Sequence, residues 1–250
     1  MRGICEKKHK LTRRRRLFKN ELGKVHVMRI LSHSYCSTRI VVFVSCIQGN
    51  THGWWCVDQI TIMAHSMRKE YGEHGVIGFY EKYGSTYRNK HAPEIKRAMR
   101  FVLAKFPPDL KHPTTIRVLD LACGSGESTI ALIENKAAVL ENIDGCDPFT
   151  FEAFEEVCGK PAFKWSFEEI SEGILDASKG YDLCICSFAL HLLDTSKLFG
   201  CCYQLALKCK YLLILSPHKR PELKQEMGWN FVFEIVEERI HAKLYQSNLI

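Results

Sequence analysis

From Glu70 onward, short apolar runs alternate with stretches of helical period. Ile116 to Leu121 is apolar except for Asp120, the pattern of a strand buried on both faces. Tyr181 to Ser187 and Tyr211 to Ser216 read the same way. Glu141 to Asp147 and Ala162 to Trp165 are a longer and a shorter candidate strand. Between these runs, Glu127 to Lys136, Thr150 to Cys158 and Ser196 to Lys208 have helical spacing, and Phe167 to Ala177 reads as a helical turn and loop. Upstream, Pro93 opens a helix carrying Ile95, Met99, Val102, Leu103 and Phe106, and Pro107-Pro108 stops it. Strands separated by helices predict an α/β fold with helices on both faces of the sheet. Phe231 to Glu238 and Ile240 to Ser247 follow each other without a helix, which predicts an antiparallel edge hairpin. The expectation is a doubly wound, mostly parallel seven-stranded sheet.

Charge divides the chain. Its net +7 over 250 residues is uneven: residues 1–70 hold 14 basic and 4 acidic residues, net +10, and the rest hold 21 and 24, net −3. We expect a basic, poorly ordered extension over residues 1–69 and one domain over 70–250. Within the domain, 70–112 forms a lid and helix and 113–250 the core. Arg13 to Arg16 reads as a nuclear address or a patch for an acidic partner, nucleic acid included. The plainer alternatives are a disordered tail, or a functional start near Met63 or Met67. Glu6 and Glu21 weaken a mitochondrial presequence. The slightly acidic body argues against a nucleic-acid surface spread over the whole domain.

No membrane span is expected, because Ile40 to Ile47 covers only eight residues where roughly 18–20 are needed. The twelve cysteines include no pair of CxxC units, so no metal is expected. Buried free thiols in a reducing compartment fit better, cytoplasmic with the nucleus as alternative.

The chemistry gathers after the first core strand, where Ala122-Cys123-Gly124-Ser125-Gly126 leads into a helix at Glu127. Small residues let a ligand approach the backbone, and a helix N-terminus offers unpaired N–H groups. Ligands of open parallel sheets bind at the carboxyl ends of the strands. The second strand ends in Asp147-Pro148-Phe149, whose acid can accept from both hydroxyls of a ribose. Ser166-Phe167 follows the third strand, Ser187-Phe188 the fourth and Ser216-Pro217-His218 the fifth.

The order Asp-x-Ala-x-Gly-x-Gly differs from the GxGxxG of dinucleotide enzymes. The stretch resembles motif I of the class I S-adenosylmethionine-dependent methyltransferases. Asp147 matches that family's acid after strand two, Tyr181 to Ser187 its motif IV strand, and the two-strand ending its reversed hairpin. The resemblance covers about residues 75–250, and Ala122 stands where the family has its first glycine.

The resemblance implies methyl transfer with S-adenosyl-L-methionine as cofactor. Asp120 would order the loop, and Ala122, Gly124, Ser125 and Gly126 would approach the methionine part. Asp147 with Pro148 would take the ribose, and Phe149, Ser166 and Phe167 would flank adenine. Ser187 and Phe188 would lie beneath the reacting methyl. Tyr80, Tyr83, Tyr87 and Arg88 would belong to a lid, with Arg88 on the methionine carboxylate.

On the acceptor side, Cys186 to Ala189 lacks the Asn/Asp-Pro-Pro-aromatic signature of enzymes that methylate amide or exocyclic nitrogens, and there is no Pro-Cys nucleophile. His191 and His218 are candidate catalytic bases. Their plain alternatives are a helix cap for His191 and a solvated position beside Lys219 and Arg220 for His218. The rigid, polar Ser216 to Pro221 suits an anionic or polar acceptor. The expected function is methylation of a small molecule. A catalytically silent binding protein, or an RNA or protein methyltransferase guided by the basic segment, are the alternatives.

Overall fold

The structure, a computed structural model, describes residue 75, residues 77–250 and three earlier strands. The chain divides into two units at Glu70/Tyr71. In the first, β1 (Arg13–Lys19), β2 (Val25–Leu31) and β3 (Val42–Ser45) form an antiparallel sheet in that order. The expectation of a start near Met63 or Met67 lies outside the described residues, as does most of the basic extension.

The second unit begins with helical residues 77–83, here α1, and α2 (Ala92–Ala104). Then come β4 (Val118–Leu121), α3 (Glu127–Glu134), β5 (Ile143–Cys146), α4 (Phe151–Cys158) and α5 (Phe167–Ser171). β6 (Tyr181–Ser187), α6 (Thr195–Lys208), β7 (Cys209–Ser216), β8 (Trp229–Glu237) and β9 (Ile240–Ser247) complete it. The sheet order is β5-β4-β6-β7-β9-β8. The first four strands are parallel, and β9 inserts antiparallel between β7 and β8. This is the doubly wound arrangement with a reversed edge that the pattern predicts.

It has six strands rather than the expected seven. Ala162 to Trp165 contributes a single bridge, Phe163 to Cys146. Phe163 N–H donates to the Gly145 carbonyl at 2.8 Å, and Asp147 N–H donates to the Phe163 carbonyl at 2.9 Å. Pro161 supplies no donor just upstream, so the ladder cannot lengthen on that side. The Phe163 ring is half exposed and stacks on Trp165 at 4.1 Å instead of entering the core.

Alternation along each strand fills two separate layers. Val118, Leu183, Ile185, Leu213, Leu215 and Leu244 face α2 and α3, packing with Ile95, Met99, Val102 and Leu132. Leu119, Leu121, Cys184, Cys186, Leu212 and Ile214 face α5 and α6, packing with Ile170, Leu198, Cys202 and Leu205. Burial of both faces explains why these strands read as continuous apolar runs. Trp229 closes the second layer, donating its indole N–H to the Cys202 carbonyl at 2.8 Å. The eight described cysteines are free, and seven of them are buried. Among the described residues no helix is long and apolar enough to cross a membrane, and no group of three or more His, Cys, Asp or Glu could hold a metal ion.

Candidate functional site

The carboxyl ends of β4, β5 and β6 lie side by side, and each ends in a turn that breaks the strand sharply. After β4, Ala122, Gly124 and Gly126 adopt φ of +53°, +59° and +85°. The Cys123 amide donates to the Cys146 carbonyl at 3.1 Å and the Gly126 amide to the Cys123 carbonyl at 2.8 Å, which folds the loop tightly back. A β-carbon on Gly126 would meet the Cys158 sulfur at 2.3 Å, and one on Gly124 would press the Tyr87 ring at 3.2 Å. Gly126 is therefore demanded by contact as well as by backbone angle, and Gly124 chiefly by its backbone angle.

Asp120, at 1 % exposure, lies beneath this loop. Its Oδ2 accepts from the Thr129 hydroxyl at 2.7 Å and the Thr129 amide at 3.2 Å. Its Oδ1 is buried without a partner. Burial, opposed by Thr129 and assisted by the charges of Glu127 and Asp147, pushes its pKa up to about 7.

Glu127 is a site residue that the sequence reading does not single out. Its carboxylate accepts from the Ser125 hydroxyl, from the Ser125 amide at 3.2 Å and from the Asn89 amide at 3.1 Å. It thus ties the loop to the segment before α2. The only advance signal is an acid in the first helical turn, which reads equally as a partner of the helix dipole.

Asp147 is 8 % exposed. Its Oδ1 accepts from the amides of Phe149 at 2.8 Å and Thr150 at 2.9 Å, opening α4. Burial raises its pKa, and these amides, with that of Gly124, act against the rise. Pro148 sits within this turn, and the Phe149 ring stacks on Tyr80 with centroids 6.3 Å apart. Tyr80 also meets Tyr87 at 5.5 Å, so α1 and Tyr87 lay an aromatic roof beside the loop.

Arg88 is placed differently from expectation. It pairs with Glu156 of α4 at 2.8 Å and donates to the Tyr87 carbonyl at 2.7 Å, an arrangement facing solvent. Ser166 caps α5 in a reciprocal box with Glu169, and Phe167 packs into the second core layer. Both have structural partners that account for them.

Ser187 ends β6 and Phe188 follows with φ +57°. The Phe188 ring stacks on His91 at 5.3 Å and 17°. His191 and His218 meet edge to face, with centroids 5.4 Å apart. Burial, with a smaller contribution from His218, pulls the His191 pKa down to about 4, and its Nδ1 is buried without a partner. It is therefore a neutral imidazole at physiological pH, and it is not a helix cap through Nδ1. The Ser216 hydroxyl donates to the Arg220 carbonyl at 3.1 Å and accepts from the His218 amide at 3.1 Å, fixing the turn that carries His218.

A cavity of about 340 Å³ lies at the opposite, amino ends of the strands, between Arg117, Lys179, Tyr181 and Lys210. Arg117 and Lys210 are already paired there with Asp144 and Asp109, so this is a seam of the fold.

No family model matches the sequence. Among solved structures, the chain is similar to the magnesium protoporphyrin IX methyltransferase of Synechocystis PCC 6803 with bound SAM. Identity is 17 %, the TM-score 0.46, and coverage 72 % of this chain and 94 % of that one. It is also similar to a SAM-dependent methyltransferase from Archaeoglobus fulgidus at 18 % identity, TM-score 0.45, covering 67 % and 99 %. A closer relation is to uncharacterized protein C17A5.05c of Schizosaccharomyces pombe, at 36 % identity over 244 residues, covering 79 % of this chain and 98 % of that one. With that identity over nearly the whole of the relative, the chain belongs to the family of C17A5.05c.

Proposed function

We propose that this chain is a methyltransferase that uses S-adenosyl-L-methionine and methylates a small-molecule acceptor at the carboxyl edge of β4, β5 and β6. The observation that carries this reading is the charge of the site. Asp120, Glu127 and Asp147 surround one small-residue loop, and among the described residues none is in an ion pair. In a dinucleotide fold the N-terminus of α3 would receive a pyrophosphate. Here the Glu127 carboxylate already accepts from that loop, and its charge opposes a second anion. A ligand with a sulfonium and an ammonium suits such a site, and the orphaned Asp120 Oδ1 and the contact-bound Gly124 and Gly126 fit a cationic group close to the backbone.

S-adenosylmethionine, when bound, supplies a methyl group activated by positive sulfur, so the protein mainly has to position and desolvate. The chain's own contributions divide by residue. Asp120 and Glu127 bring negative charge to the loop. Asp147, held by the amides of Phe149 and Thr150, offers its carboxyl to ligand hydroxyls. Tyr80, Tyr87 and Phe149 exclude water from one flank. His191 is the base we assign to the acceptor proton, through Nε2 because its Nδ1 is buried, and the exposed His218 stands beside it. The exposed Lys219 and Arg220 on the same turn favour an acceptor with an anionic group.

Calorimetry with S-adenosylmethionine and with NAD tests the ligand. Binding of the first and not the second is expected, and the reverse preference overturns the reading. Transfer of labelled methyl to the small-molecule fraction of a cell extract tests the activity. Cofactor binding without labelled product would favour the catalytically silent alternative.

A further inference from the structure

The three carboxylates of the loop are unequally satisfied. Glu127 accepts from three donors, Ser125 N–H, Ser125 O–H and Asn89 N–H. Asp147 Oδ1 accepts from two amides. Asp120 has Thr129 on Oδ2 and nothing on Oδ1, at 1 % exposure. An ionised carboxylate with one bare oxygen, shut away from water and faced by two further acids, is the unfavourable form of this group. Protonation removes that charge.

We propose that Asp120 holds a proton before the cofactor binds, and that the cationic end of S-adenosylmethionine displaces it, so that cofactor binding is an exchange of one positive charge for another. This rests on the methyltransferase reading above. The exchange is balanced: the carboxyl loses its proton to solvent, the carboxylate receives the ligand's cation, and no bond of the ligand changes.

Among the described residues around Asp120, none supplies a counter-charge. From α3, Asp120 is faced by Thr129 and Glu127, and from the end of β5 by Asp147 and Cys146. Cys123 of the loop, Cys158 of α4 and Cys186 of β6 also feel its charge. Burial pushes every one of these thiols upward, so all stay neutral at physiological pH. Both neighbouring carboxylates favour the retained proton. The site thus avoids holding three neighbouring negative charges until a cation arrives.

The experiment is calorimetry of the full chain with S-adenosylmethionine at pH 6.0 in cacodylate and in MES, and at pH 8.5 in bicine and in Tris, each pair buffering at its pH with different ionisation enthalpies. At pH 6.0 the binding heat should depend on the buffer and correspond to about one proton released, because the group titrates near 7. At pH 8.5 the release should vanish. Affinity should fall up to about tenfold per pH unit below 6. Asp120→Asn should bind with no proton release at either pH. Thr129→Val, which removes a donor to the ionised form, should carry proton release upward to pH 8.5. Buffer-independent heats in the parent overturn the exchange, and so does release that survives Asp120→Asn or is unmoved by Thr129→Val. Absence of any binding heat or competition at both pH values overturns the methyltransferase reading itself.

Discussion

Ala122 and Phe188 end neighbouring parallel strands in the same left-handed backbone conformation, with φ of +53° and +57°. Left-handed geometry costs an L-residue roughly 1–2 kcal/mol, and strain of this kind collects where a chain must present a site. The two are not equivalent in what they gain. Phe188 packs against the first core layer and stacks on His91, whereas the Ala122 methyl offers little packing to offset its strain. Ala122→Gly should therefore stabilise the fold by about 1 kcal/mol, raising the melting temperature by roughly 2–4 °C for a domain of this size. Phe188→Gly should lower it. Thermal unfolding of the two variants checks the contrast.

Gly84 is constrained by contact alone. A β-carbon there would stand 2.2 Å from the Phe149 carbonyl oxygen, and both partners are backbone. Gly84→Ala must push the segment before α2 away from the turn after β5. We expect weaker cofactor binding, by at least about tenfold, with the core intact. Titration followed by tryptophan or thiol probes of the second layer would separate these effects. A normal dissociation constant would place the lid away from the cofactor.

Two buried groups titrate in opposite senses over the same window. The Asp120 pKa is raised from 3.8 to about 7. The native state then binds more protons than the unfolded chain, and stability falls as pH rises through that interval. The full shift is on the order of 4 kcal/mol. The His191 pKa is lowered from 6.5 to about 4. There the unfolded chain binds more protons, and stability rises with pH, by about 1 kcal/mol once solvent screening of its partly exposed ring is allowed for. Asp120→Asn can keep both Thr129 bonds through its amide oxygen. The variant should exceed the parent in stability at pH 8 and lose that advantage at pH 4. Urea midpoints at the two pH values measure the difference.

Glu127→Ala removes the acceptor shared by Asn89 and Ser125. Losing charge-supported hydrogen bonds at a half-exposed site should cost about 1–2 kcal/mol. The loss should concentrate in residues 77–91, where amide hydrogen exchange should speed up while β6 and β7 stay protected.

The core strands were readable from the sequence because burial on both faces leaves continuous apolar runs at Val118–Leu121, Tyr181–Ser187 and Cys209–Ser216. The hairpin was readable because no helix fits between Glu237 and Ile240. The loop glycines were legible from their order. What stayed hidden depended on distant partners. Arg88 meets Glu156, 68 positions away, and nothing local indicates that pairing. Glu127 looks like any first-turn acid until the fold brings Asn89 to it. Ala162 to Trp165 has the composition of a strand, but strand length is set by neighbours, and Pro161 with an outward Phe163 leaves one bridge.

The thiol-rich second layer has a consequence for how this protein unfolds. Cys184 and Cys209 lie in sulfur contact inside it, with Cys186, Cys201 and Cys202 in the same layer. While the layer is closed, burial keeps the Cys184, Cys186, Cys201 and Cys202 sulfurs protonated and unreactive. Once it opens they become ordinary thiols crowded along one chain, ready to cross-link in air. Alkylation by a small electrophile would then run as a clock for the opening of β6 and β7. Under oxygen, heat denaturation would become a one-way process whose endpoint records the rate of opening and not the balance between native and unfolded states.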